Sequence, residues 1–146
     1  MNRADVIPSL VLSAHALARI AAQEAGNEAP SAQWRALGIL ERLGSLRLGE
    51  LASAARTTQP GMTRLIGALA QSGLVVRTAD PADTRATVVT ATPAGLQALA
   101  DWRTEMRDTL APRFRELTEE DWSALQRAAD ILALHAQESS TTGDVA

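Results

Sequence analysis

Apolar residues recur with a helical period along most of this chain, and two short β-branched runs interrupt that period near its middle. Residues 6–25 carry apolar side chains at i, i+3 and i+4 spacing, which predicts an amphipathic helix. The same spacing predicts five further helices: Ser31–Leu43, 48–55, 58–72, a long helix from Thr92 that Pro112 kinks or ends, and a last helix from Thr118 to Ala136.

Residues at the predicted helix ends agree with these boundaries. Ser31 and Thr58 are good N-caps, and Pro60 falls in a first turn, where its missing N–H has no cost. Gly73 is a helix-stop signal. Thr118 begins a Thr-x-x-Asp sequence that resembles a capping box. The segment 138–146 is rich in Ser, Thr and Gly, so we expect a flexible tail there.

A loop rich in Pro and Asp separates the two β-branched runs, Val75–Thr78 and Thr87–Thr90. Two such runs predict a β-hairpin, here with a loop long enough for its tip to project. Asp83 lies two residues before Arg85 in this loop, so its carboxylate either holds the guanidinium or caps the turn. Arg85 suits a basic finger that inserts into or beside a minor groove. Two short helices joined by a turn and followed by a hairpin predict a winged helix-turn-helix, whose expected partner is double-stranded DNA.

At this point the sequence resembles a known family. Gly49–Val75 resembles the third and fourth helices of the MarR family of bacterial transcription regulators. Asp83-Thr-Arg85-Ala resembles that family's wing signature, and Thr92-Pro-Ala-Gly95 resembles the LT-x-x-G motif that follows it. Ala91 stands where the family usually has Leu, which puts the packing beneath the wing in doubt. The flanking helices also match, so the resemblance covers nearly the whole chain.

The two terminal helices have apolar positions to spare, and burial against a second copy is the natural way to cover them. The resemblance implies the same arrangement, a two-fold homodimer formed through the first and last helices. We therefore predict a single domain over residues 1–137, with dimerisation helices at 6–25 and 93–137 and a DNA-binding module at 31–92.

Charge and composition agree with a DNA-binding protein once their distribution is considered. The chain has a net charge of −3, but residues 45–92 contain five Arg and three acidic residues, whereas 93–146 contain five Arg and ten acidic residues. Lys is absent, so every charged phosphate contact must come from Arg. The absence of Cys excludes disulfides and thiol redox sensing. No apolar run reaches the roughly 18 residues of a membrane span, which predicts a cytoplasmic protein without a membrane partner.

The predicted fourth helix carries side chains suited to reading a major groove. Leu65, Leu69 and Ala70 form its expected buried stripe, and the exposed face then includes Met62 and Gly67. On such a face Gln pairs with adenine, Arg pairs with guanine, and Thr contacts a thymine methyl group or a phosphate, while a glycine permits close approach to the DNA. Together with the wing, this pattern predicts the following DNA-binding residues: Thr57, Thr58, Gln59, Pro60, Gly61, Thr63, Arg64, Asp83 and Arg85.

Two histidines and three tryptophans are the remaining candidates for chemistry. His15 and His135 lie on the two terminal helices without further ligands at suitable spacing, so we predict no metal and no other cofactor. The tryptophans are readily explained as packing residues. The family resemblance also implies a cleft between the dimerisation helices and the DNA-binding module for a small aromatic or anionic effector. Its candidate residues in this chain are His15, Arg19, Trp34, Trp102 and Met106.

These observations predict a mainly α protein: a winged helix-turn-helix with a two- or three-stranded β-wing, and terminal helices that form a dimerisation domain. The predicted function is a ligand-responsive repressor that binds a palindromic operator as a homodimer. The alternative is a winged-helix module that binds a protein partner or a small molecule without binding DNA. An enzyme has little support, because Cys, Lys and Tyr are absent and neither His has a Ser or Asp placed as a catalytic partner.

Overall fold

The structure is a computed structural model that describes residues 1–137, so the predicted tail at 138–146 lies outside the described residues. Helices and strands follow in the order predicted from the apolar pattern. They are α1 (Arg3–Ala25), α2 (Ser31–Leu43), β1 (Leu46–Arg47), α3 (Leu48–Ala54), α4 (Gln59–Gln71), β2 (Val75–Ala79), β3 (Thr87–Ala91), α5 (Pro93–Leu110), a 3₁₀ segment (Ala111–Phe114) and α6 (Glu119–His135).

The chain divides into two compact units, Met1–Leu110 and a second unit that begins at Ala111. The first unit contains α1 to α5 and the sheet, and within it α1 packs along α5. The second contains α6, which Thr118 and Asp121 start with the predicted capping box. The backbone N–H and hydroxyl of Thr118 both donate to the Asp121 carboxylate, which lowers the pKa of that group.

The three strands form one antiparallel sheet in the order β1-β3-β2. In the hairpin Val75 pairs with Ala91 and Ala79 with Thr87, while Leu46 of β1 pairs with Val89. The wing is therefore three-stranded, which was one of the two predicted forms. Val89, in the central strand, is completely buried.

The core of the first unit is built around α4. Met62, Ile66 and Leu69 are buried at i, i+4 and i+7, whereas Leu65 and Ala70 are only half-buried. The expectation that Met62 lies on the exposed face was wrong. The buried face of α4 is rotated by about one residue around the helix axis from the face that Leu65, Leu69 and Ala70 predicted. Met is flexible and apolar, and it fills such interior positions readily.

Two predicted helix starts differ from the structure. Ser31 is the first residue of α2 rather than its N-cap, which is Pro30, and the side chain of Asn27 accepts from the Ala29 N–H just before it. The first helix begins earlier than predicted because the side chain of Asn2 accepts from the backbone N–H of Ala4 at 3.3 Å. Pro8 lies inside α1.

By length and composition α1 could cross a membrane, which was not predicted from the runs of apolar residues. Its most apolar 18-residue window has a mean hydropathy of 1.3, and it is the one such helix in the described part of the chain. A single helix of this kind near an N-terminus is a weak indication of a membrane span, because helices of water-soluble folds meet the same criterion.

The start of α5 fits closely against the corner between α4 and β2. Gly73 has a left-handed φ of 77° and ends α4, as predicted. The hydroxyl of Thr92 donates to the Gly73 carbonyl at 2.6 Å and accepts from the Gly95 N–H, while the Thr92 N–H donates to the Leu74 carbonyl at 3.1 Å. A Cβ on Gly95 would overlap the Leu74 carbonyl. The Thr-x-x-Gly spacing is therefore a requirement of this corner.

Replacing Gly95 with alanine should destabilise the protein, by about 1–3 kcal/mol or more, because backbone atoms of two elements must separate. Gly38→Ala is the matched control, since a Cβ there meets nothing within 4 Å and Ala is favoured over Gly inside α2 by about 1 kcal/mol. Urea denaturation of both variants measures the difference. Equal stability of the two variants would show that the corner is not tightly packed.

Candidate nucleic-acid interface

A shallow groove of about 290 Å³ lies between the wing and the first residues of α3 and α4. Its lining includes Gln59 from α4 and Arg85 from the wing, together with Arg47 and Glu50 from the start of α3. The groove thus brings together one predicted DNA-binding residue from the fourth helix and one from the hairpin. The Arg85 guanidinium and the Gln59 carboxamide on one open concave surface can bind phosphate oxygens and base edges.

The N-terminus of α4 is held by the predicted cap. The hydroxyl of Thr58 accepts from the Gly61 N–H at 3.2 Å, and Pro60 occupies the first turn. A Cβ on Gly61 would lie 3.0 Å from the Thr58 hydroxyl oxygen and 3.3 Å from a methyl carbon of Thr57. The lack of a side chain at Gly61 thus has a reason within the protein, because it leaves room for the cap.

Three predicted reading residues, Gln59, Thr63 and Arg64, are exposed on α4. The hydroxyl of Thr63 donates to the Gln59 carbonyl at 2.9 Å. That hydrogen is therefore used within the helix, and a phosphate, which only accepts, would have to displace this bond. The Thr63 methyl group and the remaining lone pair of its oxygen are the groups left for DNA.

At the tip of the wing, Asp83 caps the turn. Its Oδ1 accepts from the Arg85 N–H at 3.1 Å, and its carbonyl accepts from the Ala86 N–H at 2.9 Å. Within residues 1–137, no ion pair joins the Asp83 carboxylate to the Arg85 guanidinium. Of the two roles considered for Asp83, the structure shows turn capping, which leaves the exposed Arg85 side chain available for a ligand.

The start of the wing loop, next to the last strand pair of the hairpin, is held by an ion pair that sequence reasoning missed. Arg47 donates from Nε at 2.7 Å and from Nη2 at 2.6 Å to Oδ2 of Asp80, which is only 13% exposed. The other oxygen of Asp80 accepts from the Ala82 N–H at 2.9 Å. This backbone hydrogen bond, followed by the contact with Arg47, lowers the pKa of Asp80. The partners are far apart in sequence, so no local pattern identifies them.

Arg56 lies in the turn between α3 and α4, and it is a second residue of this surface that the sequence did not single out. It has a left-handed φ of 53°, the only positive φ of a non-glycine residue in the described chain, and its side chain is exposed. This conformation costs about 1–2 kcal/mol for most residues other than Gly. Its N–H donates to the Ser53 carbonyl at 3.1 Å, and the Thr57 N–H donates to the Ala52 carbonyl at 2.9 Å.

A separate cavity of about 450 Å³ lies among α1, α2 and α5. Four of the five predicted effector residues line it: His15, Arg19, Trp34 and Trp102. Trp34 and Trp102 stack with their ring centroids 5.9 Å apart and their planes inclined by 17°. Met106 does not line this cavity, since it is half-buried one turn further along α5.

The chemistry of this cavity favours an aromatic anion. Arg35 lines it beside Arg19 and His15, and no Asp or Glu is among the lining residues from the described part of the chain. Two guanidinium groups can bind a carboxylate, and the stacked indoles provide apolar surface for a planar ring. His135 belongs to α6, in the second unit, and residues 1–137 contain no cluster of three or more His, Cys, Asp or Glu that could hold a metal ion.

Comparison with known proteins agrees with this fold. The sequence profile described as the MarR family matches residues 30–87. The uncharacterized HTH-type transcriptional regulator Mb0904 of Mycobacterium bovis is 33% identical over 107 residues, which cover 73% of this chain and 75% of that protein. The crystal structure of wild-type MarR from E. coli has a TM-score of 0.74 at 17% identity, covering 90% of this chain and 96% of that one. The HTH-type transcriptional repressor IacR of Pseudomonas putida is 28% identical over 100 residues, 68% of this chain and 60% of that protein.

The chain therefore belongs to the MarR family of winged helix-turn-helix transcription regulators, as its motifs predicted. It is a transcription regulator and not an enzyme.

Replacing Asp80 with asparagine should lower the free energy of unfolding at pH 7, because the charge-assisted bonds to Arg47 and Ala82 weaken. A carboxylate with a lowered folded pKa contributes stability above its ordinary pKa near 3.8, and this stability is lost as pH falls through the folded value. The gap between wild type and Asp80→Asn should therefore close in acid. Urea titrations from pH 7 to pH 2.5 measure this difference in the free energy of unfolding.

Arg47→Met provides the control for this cycle. In that background the effect of Asp80→Asn should shrink without vanishing, because the Ala82 N–H remains as the larger cause of the lowered pKa. A gap that stays constant from pH 7 to pH 2.5 would contradict a role for the Asp80 charge.

Proposed function

We propose that this regulator binds a palindromic operator as a homodimer, represses transcription there, and releases the DNA when a small aromatic anion occupies the cavity. The observation that carries the DNA-binding part is the groove that places Gln59 of α4 beside Arg85 of the wing. A major-groove reader and a minor-groove finger on one surface suit double-stranded DNA better than a protein partner.

The charges of the winged helix support this proposal. All five arginines of residues 45–92 are exposed: Arg47, Arg56, Arg64, Arg77 and Arg85. Of the three acidic residues in the same segment, Asp80 is paired with Arg47, and Asp83 and Glu50 cap a turn and a helix start. The surface is thus more basic than a net charge of −3 for the whole chain indicates, which favours phosphate binding.

Exposed apolar side chains support the dimer. On α1, Val6, Ile7, Val11 and Leu12 are 38–68% exposed, and on α6 Trp122, Leu125, Ile131 and Leu134 are 43–64% exposed. These residues account for most of the large apolar side chains exposed in the described chain, and burial against a second copy removes them from water. A two-fold dimer also presents two copies of α4 to successive major grooves, about 34 Å apart.

Regulation by an aromatic anion rests on the cavity with its stacked indoles and its two arginines. Its volume falls in the usual range for small-ligand sites, roughly 300–1,000 Å³. An effector releases DNA only when it binds the DNA-free conformation more tightly than the DNA-bound one. We place this activity in the cytoplasm, where operator DNA is accessible.

Substitutions in the wing and in α4 should have different effects on DNA binding. Arg85→Ala should weaken binding to all sequences and flatten the salt dependence, with some loss of A·T preference beside each half-site. Arg64→Ala should cost about 1–3 kcal/mol of binding free energy at one base pair of each half-site, if that arginine pairs with guanine. An operator selected by the wild type from a random library, with its single-base variants, separates the two effects in gel shifts.

Arg115→Ala is the control for these gel shifts, since Arg115 is an exposed arginine outside the winged helix. Its affinity and salt slope should match those of the wild type. If Arg85→Ala also matched the wild type at physiological salt, the wing would have no part in binding. A wild type that selects no operator would favour the protein-partner alternative.

Leu12→Asp or Leu134→Asp should convert the dimer to monomers, because each places a charge within the proposed apolar interface. Leu43→Asp is the matched control, as Leu43 is 42% exposed but lies on α2. Light scattering at micromolar concentration measures the mass of each variant. A monomeric wild type, or a dimeric Leu12→Asp and Leu134→Asp double variant, would contradict the proposed interface.

A further inference from the structure

The side chain of Arg35 contacts both the cavity and the turn between α3 and α4. Its side chain lines the cavity beside Trp34, and its Nη1 donates to the carbonyl of Ala55 at 3.4 Å. Ala55 is the C-cap of α3 and is itself buried, so this hydrogen bond reaches from the cavity to the start of the helix-turn-helix turn. No other residue lining the cavity has a described hydrogen bond to that turn.

The carbonyl of Ala55 accepts hydrogen bonds both from Arg35 and from a residue just before α4, the proposed recognition helix. The hydroxyl of Thr57 also donates to it, at 3.4 Å. Thr57 directly precedes Thr58, the N-cap of α4, and its methyl carbon bounds the space left by Gly61. A guanidinium in α2 is therefore connected through one carbonyl oxygen to the residues that set the position of the first turn of α4.

The turn between α3 and α4 is under strain. Arg56 follows Ala55 directly and holds a left-handed φ of 53°, which most side chains disfavour. A strained conformation persists only where surrounding contacts enforce it. The hydrogen bond from Arg35 is one such contact, because its acceptor is the carbonyl of the residue immediately before the strained one.

We propose that Arg35 is a positioning residue that couples the cavity to the turn before α4. An anion in the cavity competes for the Arg35 guanidinium, and the Ala55 carbonyl then loses its charged donor. The turn relaxes and the first residues of α4 lose their DNA-binding position. This proposal rests on the proposed effector cavity and DNA-binding function. Because coupling is reciprocal, DNA must weaken anion binding by the same factor as the anion weakens DNA binding.

The coupling can be tested without any effector. Arg35→Met keeps an unbranched apolar side chain but removes the donor, so operator affinity should fall about 5- to 20-fold, within the usual range of allosteric coupling. Amide hydrogen exchange at 55–61 should rise in the same variant. Arg103→Met is the matched control, because Arg103 binds Glu41 of α2 at 2.8 Å and has no described bond to the turn. Arg35→Lys keeps a charged donor and should recover both readouts in part.

A second arm uses benzoate as the probe. Benzoate should quench the fluorescence of the stacked tryptophans and weaken operator binding of the wild type. Arg19→Met should weaken benzoate binding. In Arg35→Met, any benzoate that still binds should no longer change operator affinity or exchange at 55–61, whereas exchange elsewhere in the protein should match the wild type and establish that the variant is folded.

The two arms separate the possible failures. Wild-type operator affinity and wild-type exchange at 55–61 in Arg35→Met would overturn the coupling while leaving the DNA-binding function intact. The coupling would also be overturned if benzoate still released DNA from Arg35→Met. A wild type that binds operator but not benzoate would contradict the proposed effector class, and the effector-free comparison of Arg35→Met with Arg103→Met would still decide whether Arg35 positions the turn.

Discussion

The corner around Leu74 is the constraint on which the rest of the first unit depends. Two short segments meet there: residues 73–75 end α4 with a left-handed glycine and start β2, and residues 91–95 end β3 and begin α5. Thr92 joins these elements through bonds to the carbonyls of Gly73 and Leu74, and Gly95 allows the backbones to approach. The start of α5 is therefore held against the end of α4 and the start of β2 by one backbone hydrogen bond and two hydrogen bonds of the short Thr92 hydroxyl.

From this corner, α5 runs back along α1 and carries Trp102 to the side of the cavity. The contacts that hold the start of α5 at this corner thus also help to place one wall of the proposed effector site. α2 forms the other connection, since it buries Leu37 and Leu40 in the core and presents Trp34 and Arg35 to the cavity. The proposed DNA-binding surface and the proposed effector cavity are consequently supported by the same few helices, which gives a physical basis for coupling between them.

In the wing, some polar side chains hold the loop in place, whereas Arg85 is left exposed for binding. Asp80 and Arg47 fix the start of the wing loop, and Asp83 shapes its tip by accepting from a backbone N–H. Arg85 has no ion-pair partner in the described chain, so its charge is available to a phosphate or a minor groove without prior loss of an internal bond. A basic finger on a fixed support loses less conformational freedom on binding than one on a mobile loop.

Local patterns in the sequence determined the elements of this protein and their order. The helical period, the β-branched runs and the caps at Thr58, Gly73 and Thr118 predicted six helices and a wing, because these signals act between residues a few positions apart. They also identified Gln59 and Arg85, which the structure brings into one groove. The five residues named for the cavity came from the family resemblance, and four of them line it.

Tertiary structure alone decided the contacts between distant segments. It buried Met62 in place of the expected exposed position, paired Arg47 with Asp80, and joined Arg35 to the Ala55 carbonyl. Each of these depends on the rotation of a helix about its axis or on how closely two elements approach. Periodicity specifies a helical face only to within about one residue, and no spacing along the chain records which distant polar groups will lie within hydrogen-bonding distance of each other.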